Sequence, residues 1–193
     1  MNDPRARLAA AQDWVAKLID HVDHSQLPDP TPCTEFDVRQ LLGHLFTGAS
    51  LVTALAEGTD PMEVPFVSEI GESDWGGDYR AITRRAREAW PEPLDLDTVV
   101  TIPRGEVTLG GALAGWVGEA LTHGWDLATA TGQPSEADPV LAEFALAGAA
   151  EIVPAQLRVI PEVPFETVVE PAVDAGPTER LANFFGRVSR QPG

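Results

Sequence analysis

The chain has 193 residues, which suits one domain or one domain with a small appendage. Thirteen Lys+Arg against thirty Asp+Glu give a formal net charge of −17; a surface of that sign repels phosphate backbones and anionic lipid, so neither nucleic acid nor a membrane is expected as a partner. A hydrophobic content of 44% is enough for a packed core, and Cys33 is the only cysteine, so no internal disulfide can form.

Residues 5–22 read as an amphipathic helix. Leu8, Ala11, Val15, Leu18, Ile19 and Val22 recur at three- and four-residue spacing, with Arg7, Asp13, Lys17 and Asp20 between them. The polar residues Gln12, Asp13, Lys17 and Asp20 also interrupt the apolar stretch that an export signal would need, and no window reaches the ~18 apolar residues of a membrane span. A cytoplasmic location is the expectation. Pro28, Pro30 and Pro32 then remove backbone donors and impose a loop.

The second helix carries its own start signal. Asp37 is placed to cap it, Gln40 to reach back from the third helical position, and Phe36 to staple onto Leu41; Gly58 stops it after Glu57. A Pro/Gly-containing loop over 58–77 leads to an arginine-rich helix from Asp78 to Trp90, closed by Pro91 and Pro93. Residues 98–102 have strand character, and Pro103-Arg104-Gly105 turns the chain into Glu106-Val107-Thr108, which predicts a short hairpin. A long helix follows from Leu109 to Thr131, with Leu113, Val117, Ala120, Gly124 and Leu127 as its core row and Gly132 as its stop. A further helix is predicted over 138–152, an extended stretch over Phe165–Val169, and a short helix near Thr178–Val188. Many helices and little strand point to an all-α bundle.

Glu119 and His123 stand four residues apart on the long helix, so both side chains share one face, one turn apart. A carboxylate oxygen and an imidazole nitrogen so placed can grip one divalent ion. They lie beside an apolar row between Trp116 and Trp125, where a lone buried carboxylate would cost several kcal/mol. His44 sits in the row Leu41, His44, Gly48, Leu51, Leu55, read as the inward seam of the second helix, with Gly48 leaving space beside the ring. A core histidine hydrogen-bonded to a carbonyl is the alternative for His44 alone. Bundles build metal sites from facing helices in this way, and the three residues together favour a shared ion. Asp126 continues the row; it is either the acceptor for the ring N–H of a ligating histidine, a fourth ligand, or a carboxylate at the helix surface.

Other candidates carry less. Cys33 precedes the cap of the second helix and reads as a small packed residue, His21 and His24 as exposed side chains at a helix end, and Arg80, Arg84 and Arg87 as a basic stripe paired with nearby acids or facing the cleft. No Gly-x-Ser-x-Gly elbow and no phosphate-binding glycine loop occur.

Two segments give the chain a family likeness: Thr31-Pro32-Cys33-Thr34-Glu35-Phe36-Asp37-Val38-Arg39 leading into Leu41-Leu42-Gly43-His44-Leu45, and Glu119-Ala120-Leu121-Thr122-His123-Gly124-Trp125-Asp126-Leu127-Ala128 followed by Thr131-Gly132. They resemble the metal-binding domain of the mycothiol-dependent maleylpyruvate isomerase family, within the wider DinB/YfiT-like metalloenzymes. The closing Pro177, Arg180-Leu181 and Phe185-Gly186-Arg187 are similar to the tail of small stand-alone actinobacterial members. The resemblance implies an up-down-down-up four-helix bundle over 1–153, with 154–193 as a C-terminal extension packed on it. It also implies a zinc-like ion held by His44, Glu119 and His123, with Ni, Fe or Mn as other divalent options. The implied cosubstrate is a low-molecular-weight thiol such as mycothiol, and the implied partners are that thiol and a small electrophile, as in an S-transferase or isomerase. The residues after 153 are too few for the separate C-terminal domain of the isomerase, so maleylpyruvate is not carried over as the substrate. A non-catalytic metal-stabilised bundle that binds a ligand or protein partner is the second reading, and a homodimer stays open as the assembly.

Overall fold

In a computed structural model, residues 3–152 and 167–189 are described. Four long helices come first: α1 (Arg5–Ile19), α2 (Val38–Glu57), α3 (Trp75–Ala89) and α4 (Leu109–Thr131). Two short strands, β1 (Val99–Ile102) and β2 (Gly105–Thr108), pair antiparallel between α3 and α4, and α5 (Pro139–Ile152) and α6 (Pro177–Phe184) follow. The molecule is mainly helical with one hairpin, the all-α class that the residue pattern predicts.

The packing partners form a closed ring. α1 packs against α3 and α4, and α2 packs against the same two helices, while α5 and α6 pack on α4 and on each other. The core inside the ring is aliphatic, with Val15, Ile19, Val38, Leu41, Leu42, Val52, Leu113, Val117, Leu121 and Leu127 all fully or nearly fully buried. Among the described residues no helix is long and apolar enough to cross a membrane.

Local chemistry sets the helix ends. Asp37 accepts from the Gln40 amide at 2.8 Å while the Gln40 side chain accepts from the Asp37 amide at 3.1 Å, the reciprocal cap that the sequence predicts. Gly58 and Gly132 close α2 and α4 in the left-handed conformation, with φ of 70° and 73°. The predicted hairpin is present, and backbone hydrogen bonds from Leu109 to Thr98 and from Gly110 to Leu96 tie it to the start of α4.

Helix ends and one buried face differ from the sequence reading. α1 ends at Ile19 rather than residue 22, because the His21 and Val22 amides tighten into i→i+3 turns onto Leu18 and Ile19 ahead of a short 3₁₀ segment at His24–Gln26. α3 begins at Trp75 rather than Asp78, since Asp74 supplies a cap by accepting from the Gly77 amide. The buried face of α2 runs through Leu41, Leu42, Leu45, Phe46, Ala49 and Val52 rather than through Gly48, Leu51 and Leu55, which are only half-buried. His44 thus sits at the edge of the core, where the ring of helices opens. Of the expected extended stretch Phe165–Val169, Phe165 and Glu166 lie outside the described residues, and 167–169 pair in no strand.

Candidate metal centre

α2 and α4 lie side by side and bring His44, Glu119 and His123 together. His44 Nε2 is 3.0 Å from Glu119 Oε1, and His123 Nε2 is 3.4 Å from the same oxygen. The two imidazole centroids are 4.9 Å apart and nearly perpendicular. All three ligand atoms lie within 4.8 Å of one another. Ligands bound tetrahedrally at 2.0–2.2 Å from a shared zinc ion would be roughly 3.3 Å apart, so the observed separations fit a single small divalent ion.

The other nitrogen of each ring is committed as well. His44 Nδ1 is 3.2 Å from the Phe66 carbonyl, and His123 Nδ1 is 3.1 Å from Asp126 Oδ2. Both partners accept only, so both Nδ1 atoms must carry their protons and donate. Both Nε2 atoms then point at one carboxylate. In a neutral ring each would aim a lone pair at negative charge. Such an arrangement is stable only with positive charge between the groups, as protons or as a metal ion.

In the metal-free protein a proton on His123 takes that place. Burial opposes the charged form of His123, but hydrogen bonds to Asp126 and Glu119 outweigh it and push the imidazole up to about 9. For Glu119, burial would favour protonation; its hydrogen bonds with His123 and His44 reverse this and hold it well below the usual carboxylate range. The result is a carboxylate held between two imidazole nitrogens, with the His123 proton in the place that a cation can take.

The surroundings follow from neighbouring elements. The proline-rich loop is pinned by Thr31, whose hydroxyl lies 2.9 Å from the Cys33 carbonyl and 2.8 Å from that of Phe36. Phe36, expected to staple onto Leu41, sets its ring 5.0 Å from His44 and 6.3 Å from His123. Phe66, 69% exposed, packs against His44 at 5.1 Å and lies 6.1 Å from the Phe36 ring. A cleft lined by Gln12, Gly48, Trp116 and Glu119 runs from the centre, and nothing fills the space beside Gly48. Arg104, on the hairpin turn, brings a guanidinium within 3.7 Å of Glu119.

Asp126 is not a surface carboxylate. It is fully buried, accepts from His123, and takes three hydrogen bonds at 3.1–3.3 Å from Arg187, a residue to which the sequence reading gave no role. Its sign in the sequence is its place in the tail segment Phe185-Gly186-Arg187, which carries a family likeness but names no partner for the arginine. A second group, Cys33, His123 and Asp126, has ligand-type atoms close together. It does not suit a cation, because Arg187 already occupies Asp126 and burial pushes the Cys33 thiol up. Cys33 is packing. His21 and His24 are exposed, one against the Lys17 carbonyl and the other against Trp75. The arginine stripe turns away from the centre: Arg80 pairs with Asp20 and Arg87 with Asp13, latching α3 to α1.

This geometry meets an independent finding. Residues 8–128 match the family model described as the mycothiol maleylpyruvate isomerase N-terminal domain. The chain belongs to that family. The matched span includes His44, Glu119, His123 and Asp126 and ends two residues beyond the last of them. Two uncharacterized proteins of Mycobacterium tuberculosis, from two strains, are each 33% identical over 188 residues, covering 97% of this chain and 100% of the relative. The likeness to them therefore includes the C-terminal segment. No solved structure gives a significant match.

Proposed function

We propose that this family member holds one divalent ion, zinc in the first instance, through His44, Glu119 and His123, and uses it in a thiol-dependent transfer or isomerisation of small electrophiles. The observation that carries the reading is the pair of Nε2 atoms aimed at Glu119 with both Nδ1 atoms already donating. Two imidazoles and a carboxylate suit zinc, and equally Ni, Fe or Mn by donor type. Three protein donors leave a coordination position open, which separates a reactive site from a closed structural one. The bound ion would supply Lewis acidity and favour the thiolate of a cosubstrate of the mycothiol kind.

The chain's own residues do the rest. Phe66 carbonyl and Asp126 fix both rings in the tautomer that presents Nε2. Phe36 packs against both rings and limits water there. The cleft past Gly48 and Trp116 gives a small electrophile a route to the open side, and Arg104 at the rim favours an anionic group on either reactant. The reaction is intracellular in this reading, where low-molecular-weight thiols are reduced.

The test is turnover. Zinc-loaded protein incubated with mycothiol and a panel of small electrophiles should consume the thiol faster than metal-free protein, and His44→Ala should abolish the difference. Equal rates with and without metal across the panel would leave a metal-stabilised binding module instead.

A further inference from the structure

The family match stops at residue 128, yet the carboxylate that orients His123 is gripped from far beyond it. Arg187 Nε lies 3.3 Å from both oxygens of Asp126, and Nη2 lies 3.1 Å from Oδ2. Asp126 is 0% exposed and the Arg187 side chain 13%. Arg187 is itself held in place: its Nη1 donates to the Phe185 carbonyl at 3.0 Å, its amide donates to Ala182, and the buried Asn183 side chain donates to its carbonyl at 2.8 Å. α6, which begins this turn, packs on both α4 and α5. The guanidinium thus has a fixed position over α4.

We propose that Arg187 is a positioning residue of the metal centre, clamping Asp126 so that the His123 ring is held with Nε2 facing His44 and Glu119. The inference rests on the metal-binding reading above. A carboxylate excluded from water needs either a proton or a paired cation. The fork of Arg187 supplies that charge and engages both oxygens, which leaves Oδ2 as the shared acceptor for His123 Nδ1. Without the fork, Asp126 has only the imidazole, and its rotamer and that of His123 are no longer set. The C-terminal segment, outside the family's domain, then completes the centre in this chain.

The arrangement also sets the charge of the site. Arg187 cancels Asp126, so Glu119 is the carboxylate left to balance a divalent ion, and the pocket keeps a net positive charge that suits an incoming thiolate.

The experiment is cobalt(II) binding by the full chain, read by competition with a chromophoric chelator and by the visible ligand-field spectrum, for wild type, Arg187→Met, Arg187→Lys, Asp126→Asn and the double variant Asp126→Asn/Arg187→Met. Arg187→Met should bind cobalt about 10- to 100-fold more weakly with a changed spectrum, as loss of an outer-shell orienting partner does. Arg187→Lys, which keeps the charge without the fork, should fall between. Asp126→Asn should weaken binding too, and adding Arg187→Met to it should change affinity less than twofold, because the arginine acts through Asp126. The double variant leaves no unpaired buried charge, so it keeps the test open should Arg187→Met alone fold poorly. Wild-type affinity and spectrum in Arg187→Met, or the same loss from Arg187→Met in both backgrounds, would overturn the inference. Wild type that takes up no cobalt would overturn the metal reading, and this inference with it.

Discussion

His123 has three polar neighbours and only two ring nitrogens to serve them. Nδ1 is spent on Asp126, so Nε2 alone meets Glu119 and His44. The raised value of about 9 lies above the ordinary 6.5, so the stabilisation that protonated His123 gives the metal-free protein is complete below about pH 6.5 and is lost as pH rises through about 9. Metal must displace that proton. Zinc affinity should therefore strengthen by about tenfold per pH unit between pH 7 and 9 and level off above. Isothermal titration in buffers of different ionisation enthalpy checks this, with about one proton released per ion at pH 7.5. A pH-independent affinity over that range would show that His123 carries no displaceable proton.

At the scale of elements, His44 depends on how closely a loop approaches α2. The segment 65–68 hydrogen-bonds to α2 through Thr47 and the Gly43 carbonyl, which brings the Phe66 carbonyl onto His44. A methyl group at Gly43 would lie 2.5 Å from the Ser68 carbonyl oxygen and 2.7 Å from Val67. Gly43→Ala should push this loop off the helix, removing the Nδ1 acceptor and weakening metal affinity roughly 10-fold, while the α2 cap and the core beneath are unchanged. Cobalt titration of Gly43→Ala against wild type measures it, and an unchanged affinity would mean that the loop does not orient His44. The same scale shows what a linear reading can reach. The capping box at Asp37, the glycine stops at 58 and 132 and the i, i+4 pair on α4 are local, and all were legible. The Asp74 cap was not, because Asp74 takes it up with φ of 56°, a backbone state uncommon for a side chain. The seam of α2 was drawn one stripe off, since Leu51 and Leu55 look core-like in sequence while their side of the helix is only partly covered.

For the molecule as a whole, fold class and the three candidate ligands follow from periodicity and residue type, but the contacts across long separations do not. Arg187 and Asp126 are 61 residues apart, and Phe66 and His44 22 apart; nothing periodic links them. The net charge of −17 is likewise a property of the whole chain. It concentrates cations and repels anions around the surface, so the exposed Arg104 beside the cluster of ligand types marks the place where an anion can approach. Elemental analysis of the purified full chain, alongside His44→Ala and Glu119→Ala, tests the central claim most directly. One divalent ion per wild-type chain, lost from both variants with their helical content intact, is the result predicted. Wild-type protein that holds no metal after loading and desalting, or variants that retain a full equivalent, would contradict it.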